Sequence, residues 1–224
     1  EAQTMFANQN MLDAVGEGVP TTFDQLLSTG KKLKSGDVAG VAMRSKADGT
    51  AGSWPGGGFV FSNGGVIIQD GKCMLDSPEA IEAIHYYGTI LKEAGPLGVG
   101  NYHWYECLND YMQEVCAIGM DSSNFATDIE NPEKSNAAGH TTYGAMVSGP
   151  GKQAKPNMWH WMAGINSKSQ QKAAAFLFLT WANSKPTCLM SSALGLATTR
   201  TSAWESDGFK SAFGKQAATA ALTN

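Results

Sequence analysis

The chain has 224 residues, 42% of them hydrophobic, which is enough for one large or two small domains with sizeable cores. No run of about eighteen apolar residues is present to cross a bilayer, the longest apolar segment being AAAFLFLTWA, so no membrane-spanning helix is expected. The formal net charge is −4, and the only basic cluster is Lys31, Lys32 and Lys34, which argues against nucleic acid, a partner that needs a concentrated basic face.

Taken in chain order, EAQTMFANQN has no charged segment followed by an apolar one, so a signal peptide is either already removed or the chain begins inside a longer protein. VPTTFDQLLSTGKKLKSG predicts an amphipathic helix: Pro20 and a Thr22-x-x-Gln25 capping box open it, Phe23, Leu26, Leu27, Gly30 and Leu33 recur at helical spacing, and Gly36 stops it. GSWPGGGFVFSNGGVIIQDGK reads as a glycine-rich, aromatic-bearing loop with turns at NGG and QDGK. LDSPEAIEAIHYYGTILKEAGP predicts a second helix, capped by Ser77, with Pro78 in its first turn and Ile81, Ile84 and Leu91 on one face.

YECLNDYMQE reads as a helix feeding the strand VCAIGM, which ends in DSSNF. A polar loop, ENPEKSNAAG, leads to the strand YGAMV, and SGPGKQAKPN reads as a crossing linker. After it come a strand, WHWMAGIN, a helix from about Ser169 to Asn183, a short helix in KPTCLMSSALG and an Ala-rich tail. Strands alternate with helices, so the expected class is α/β with a mixed sheet.

Cys73, Cys107, Cys116 and Cys188 show no CxxC pair and no zinc-type spacing. A Cys107–Cys116 disulfide and a pair of buried small hydrophobes are the two readings. His85, His103, His140 and His160 lie far apart with no i, i+4 pair, so no metal site is expected and no cofactor is called for. G-x-S-x-G, H-E-x-x-H and phosphate-loop motifs are absent. Asp121 with Glu106 could be put forward as the two carboxylates of a glycosidase, which keeps a carbohydrate-active hydrolase as the alternative. What stands out instead is a set of aromatic and polar residues at predicted strand ends and loops: Trp54, Phe59, Trp104, Trp159 and Trp161 with Asp121, Ser122, Ser123 and Asn124. Aromatic rings stack on the C–H faces of sugars and polyols while carboxylates and amides hold the hydroxyls.

In order, these pieces resemble the extracellular solute-binding proteins of bacterial ABC sugar importers, the group that includes maltose-binding protein. PTTFDQL resembles the P-x-T-W-D-E-L helix start, and YMQEVCAIGMDSS the step written F-x-x-G-K-x-A-M, with Glu114-Val115 in place of Gly-Lys. SNGGVIIQDGKCMLDSPEAIEAIHYYGTILKEAGP resembles the Gly-Gly turn and long helix, and WHWMAGINSKSQQKAAAFLFLTWANSK the aromatic strand and its helix. The W-x-W strand, the Cys-Ala before the Asp-ended strand and ENPEKS resemble the mannitol and sorbitol type binders most closely.

The resemblance implies a periplasmic binding protein type II fold, a mixed sheet flanked by helices, here mainly the second (C-terminal) lobe of a longer protein. Residues 1–148 would be that α/β lobe, 149–200 the hinge crossing with a first-lobe strand and helix, and 201–224 a return toward the second lobe. It implies no enzyme, a sugar or sugar-alcohol ligand, hinge closure, delivery to an ABC transporter permease, and a periplasmic or extracellular location, with a lipid-anchored precursor as one form. Trp161 matches the recurrent stacking tryptophan, Trp159 the extra one of the polyol group, and Asp121 an aspartate that holds a hydroxyl, with Ser122 and Ser123 at the mouth. Arg44 falls near an arginine of the polyol pattern, ahead of a loop that differs here. Trp54, in that loop, is assigned on aromatic chemistry alone. Standing alone, the chain would expose helix faces meant for the other lobe, so a dimer is expected.

Overall fold

The structure is a computed structural model that describes residues 1–196 and 198–213. The end of the Ala-rich tail, 214–224, lies outside the described residues. The first strand, β1 (Gln3–Asn8), runs into a short helix, α1 (Gln9–Ala14), whose first turn is capped by the Asn8 side chain accepting from Met11 N at 3.2 Å. α2 (Phe23–Leu33) begins where the sequence places it, with Thr22 Oγ1 accepting from Gln25 N. The reciprocal arm of the capping box lands one residue early: Gln25 Oε1 accepts from the N–H and hydroxyl of Thr21.

β2 (Ala39–Ala42) follows, and then the glycine-rich run, which is not a loop. Gly52–Gly56 forms one wide helical turn and continues as α3 (Gly57–Ser62). The glycines serve close approach. A Cβ on Gly58 would sit 1.8 Å from Gln3 Oε1 on β1, so glycine here lets the buried Gln3 amide lie directly against the helix. A hairpin of β3 (Ile68–Gln69) and β4 (Lys72–Cys73) turns at Asp70-Gly71, both with positive φ, as QDGK foretells.

α4 (Pro78–Ala94) has the expected Ser77 cap but buries a different face. Ala80, Ala83, Ile90, Leu91 and Ala94 pack inward, while Ile81 and Ile84 are exposed. The alanines carry the contact because their small side chains let α4 come close to α2 and α3, a face that counting large apolar residues misses.

α5 (Trp104–Met112) leads to β5 (Cys116–Ser122), then α6 (Ala126–Ile129) and β6 (Thr141–Gly144), which ends short of the expected strand. The four-stranded sheet has the order β2-β5-β1-β6, parallel between β2 and β5 and antiparallel elsewhere. Met5 and Ala7 of β1 face the core under α2, α3 and α4; Phe6 faces the other side, against Leu108, Tyr111 and Ile129. Phe6 lies opposite Gly119, where a Cβ would fall 2.0 Å from its ring, so the glycine makes room for the aromatic.

Cys107 and Cys116 are free, buried thiols in one small cluster with Ala39 and Ala42, so the disulfide reading gives way to the packing one. Burial pushes the Cys116 thiol up to about 12.

The expected strand WHWMAGIN (159–166) does not form; the nearest pairing is one bridge just before it, Met158 to Ala2. A strand needs a partner for its backbone groups. Among the described residues only the start of the chain lies alongside, through Gln3 N to Asn157 O at 3.0 Å and Trp159 N to Glu1 O at 2.8 Å. Beyond it come α7 (Lys172–Ala182), α8 (Lys185–Ala193), α9 (Thr201–Trp204) and α10 (Asp207–Phe213). α10 packs on α8 and α6, with Phe209 buried beside Ala126. α7 buries no residue: Phe176, Leu177, Phe178 and Trp181 are all exposed.

Glu114 sits in the left-handed region at φ 58°, in the place where the resembling sequences have glycine, and its carboxylate accepts from Asn8 Nδ2 at 2.8 Å. A side chain in that conformation costs about 1 kcal/mol. Glu114→Ala keeps the strain and loses the bond, whereas Glu114→Gly loses the bond but also relieves the strain. Urea denaturation should therefore find the Gly variant more stable than the Ala variant by about 1 kcal/mol, and equal stabilities would refute strain at this turn.

Candidate functional site

The site is built by strand register. β2 and β5 run parallel with Val41 opposite Ile118 and Ala42 opposite Gly119, and the same offset carries Arg44 to Asp121 at the carboxyl ends of the two strands. β1 is antiparallel to β5, with Gln3 opposite Ser122, so its beginning arrives at the same end of the sheet. Crevices outside strand carboxyl ends are where α/β sheets bind ligands.

Arg44 Nε and Nη2 donate to Asp121 Oδ2 and Oδ1, each at 2.6 Å, and Ser122 N donates to Oδ1 at 2.7 Å. Asp121 is 1% exposed and Arg44 14%. Burial pushes the Asp121 carboxyl upward, opposed by the guanidinium and the Ser122 N–H. The short two-pronged contact is that of an ionised pair. Tyr87, whose own hydroxyl is shifted up by burial, donates to the Arg44 carbonyl and anchors the backbone behind it.

The guanidinium lies 5.8 Å from the centre of the Trp54 ring, a cation–π contact. Trp54 is buried, and its indole N–H forms no hydrogen bond of normal geometry while lending Asp121 a weaker interaction. From there an edge-to-face chain runs to Trp159 at 6.1 Å and on to Trp161 at 5.9 Å. Trp159 is 40% exposed and Trp161 77%.

These groups wall a cavity of about 430 Å³. Arg44, Trp54, Trp159, Trp161 and Ser122 line it, as do Trp104 and Asn124 of the aromatic and polar set, together with residues that the sequence did not mark as ligand contacts: Glu1, Thr50, Ser53, His103 and Phe125. Glu1 is the least legible of them. Its carboxylate accepts from Ser122 Oγ and Asn124 Nδ2, both at 2.8 Å, and from Trp161 Nε1 at 3.0 Å. Nothing in EAQTMFAN marks that role. It follows from the antiparallel pairing of β1 with β5.

Asp121 and Ser123 are not among the lining residues. Asp121 stands behind Arg44, its oxygens occupied, and so offers no free carboxylate for hydrolysis. Ser123 binds the chain start, its Oγ accepting from Ala2 N and its N–H donating to Ala2 O. A neighbouring hollow of about 450 Å³ shares Glu1, Trp159 and Trp161 but is otherwise walled mainly by the end of α7, by α8 and by Leu196, Thr198, Thr199, Thr201 and Trp204, without Arg44. Among the described residues no three His, Cys, Asp or Glu side chains gather as a metal would require.

A mixed sheet flanked by helices, as here, is the fold of the periplasmic binding proteins. A solute-binding protein from Agrobacterium radiobacter K84, solved with ribitol, matches with a TM-score of 0.88 at 24% identity, over 100% of this chain and 58% of that one. The chain belongs to the bacterial extracellular solute-binding protein family, whose model matches residues 2–187. It is 26% identical over 111 residues to the erythritol/L-threitol-binding protein of Mycolicibacterium smegmatis, covering 50% of this chain and 23% of that protein. It is 30% identical over 107 residues to the mannitol-binding protein of Pseudomonas aeruginosa, covering 46% and 24%. The matched region thus spans about a quarter of each curated relative.

Asp121→Asn would leave the Arg44 cation without its counter-ion. We expect a loss of roughly 3 kcal/mol in urea denaturation, against a much smaller loss for the paired change Arg44→Met with Asp121→Leu. Similar losses from the single and paired variants would refute an ion pair whose charges need each other.

Proposed function

We propose that this chain is the ligand-capturing part of an ABC importer's substrate-binding protein for a sugar or sugar alcohol. The observation that carries this is the Arg44 guanidinium, fixed by Asp121 at the sheet's open end beside three linked tryptophans. Arg44, Ser122 and Asn124 supply hydrogen bonds to hydroxyls, and Glu1 accepts from them. Trp159 and Trp161 offer apolar ring surface to C–H groups. Asp121 acts by positioning Arg44, and Ser123 by holding the start of β1.

In this reading residues 1–148 form the second lobe and 149–200 cross into a first lobe, to which α7 belongs. Residues 201–224 return. A helix apolar all round is one that a larger protein buries, which fits the exposed α7. The ligand is captured in the cleft, the lobes close about the crossing segments, and the loaded protein delivers to a membrane permease from the periplasm or cell surface. The relatives named for erythritol, L-threitol and mannitol, and the structure solved with ribitol, support a short polyol as the ligand.

Isothermal titration with erythritol, ribitol, mannitol, sorbitol and maltose tests the ligand class. One polyol should give heat, and Trp161→Ala and Arg44→Ala should each weaken it by at least about tenfold, the scale of one or two lost contacts. Heat from none of the five, in this chain and in a longer form carrying the first lobe, would refute the reading.

Alone, the chain should self-associate through Phe176, Leu177, Phe178 and Trp181. Size-exclusion chromatography over a wide concentration range should show a dimer that Phe178→Glu dissolves. A monomer at every concentration would count against it.

A further inference from the structure

The cavity's charges are unevenly compensated. Arg44 is neutralised at 2.6 Å by Asp121, through two bonds. The Glu1 carboxylate is held by three neutral donors, Ser122, Asn124 and Trp161, and its side chain forms no ion pair with a Lys, Arg or His among the described residues. The backbone nitrogen of Glu1 donates to Trp159 O at 3.0 Å. His103 lies 3.6 Å from Asp48, which also feels Lys46, so the other side of the cavity presents no unopposed cation.

Around these groups stand the rings of Trp54, Trp104, Trp159, Trp161 and Phe125. An aromatic face carries negative potential that attracts cations and repels anions. It already holds one cation, the guanidinium over Trp54. The carboxylate and the rings therefore act in the same direction.

We propose that this site selects by charge, taking neutral polyhydroxylated ligands and their amine-bearing analogues while rejecting carboxylate- or phosphate-bearing ones, with Glu1 setting the preference. The proposal rests on the reading that the cavity holds a sugar or polyol. It goes further in naming which derivatives enter. A unit charge brought within several ångströms of an unpaired carboxylate at a half-exposed site shifts affinity by about tenfold or more.

The test is isothermal titration at pH 8.5 and low salt with two matched sets: ribitol against ribonate, and sorbitol against gluconate and glucamine, whose alkylamine stays protonated there. We expect each acid to bind at least about tenfold more weakly than its polyol, and glucamine at least as tightly as sorbitol. The gap should narrow as salt is added. In Glu1→Gln the ratio between polyol and acid should collapse toward one, whatever happens to the absolute affinities. Polyol and acid binding equally well in the unaltered chain, or a ratio that survives Glu1→Gln, would overturn the charge selection and leave the polyol reading standing. No binding of ribitol or sorbitol in this chain or its two-lobed form would overturn both.

Discussion

Everything at the open end of the sheet depends on two strands running parallel in one register. The offset between β2 and β5 sets Arg44 opposite Asp121, and burial makes the pairing obligatory, because neither charge can be left alone there. Once the guanidinium is fixed, the Trp54 ring has a cation to lie against and the cavity acquires a rigid polar floor. A one-residue slip of β2 against β5 would put the two side chains on different faces of the sheet. Binding geometry and fold are thus specified by the same hydrogen bonds.

A second device joins the site to the start of the chain and to residues 157–161. Residues 1–3 and 157–159 pair as a short antiparallel ribbon, and the Glu1 side chain ties that ribbon to the loop after β5. Trp161, bonded to the same carboxylate, takes its orientation from this knot rather than from a packed core. The exposed tryptophans are therefore held by backbone pairing and one acid, an arrangement that leaves their faces free.

Much of this was legible in the sequence, and the exceptions have physical causes. Helix starts were readable because capping is local chemistry: Thr22 and Ser77 each bond within their own first turn. The buried face of α4 was not, because alanine contributes contact by being small, and apolar size points to Ile81 and Ile84 instead. The glycine run was misread for a related reason: Gly58 answers Gln3 and Gly57 Asn157, both far away in sequence, rather than a local turn. In the site, Arg44, Trp54, Trp159, Trp161 and Ser122 could be picked out by residue type and by resemblance. The roles of Glu1 and Asp121 could not, since whether a carboxylate faces a ligand or an arginine is decided by strand register.

The sheet order has a further consequence, for how the chain acquires its shape. β1 precedes the other three strands of its sheet in the sequence yet occupies an interior position, between β5 and β6. Both of its edges stay unpaired until the residues of two much later strands are available, and the contacts that complete the sheet are long-range ones. Non-local closure of this kind slows folding and leaves strand edges open to other chains in the meantime. The segment QTMFAN is thus the part of the sheet whose two edges wait longest for their partners.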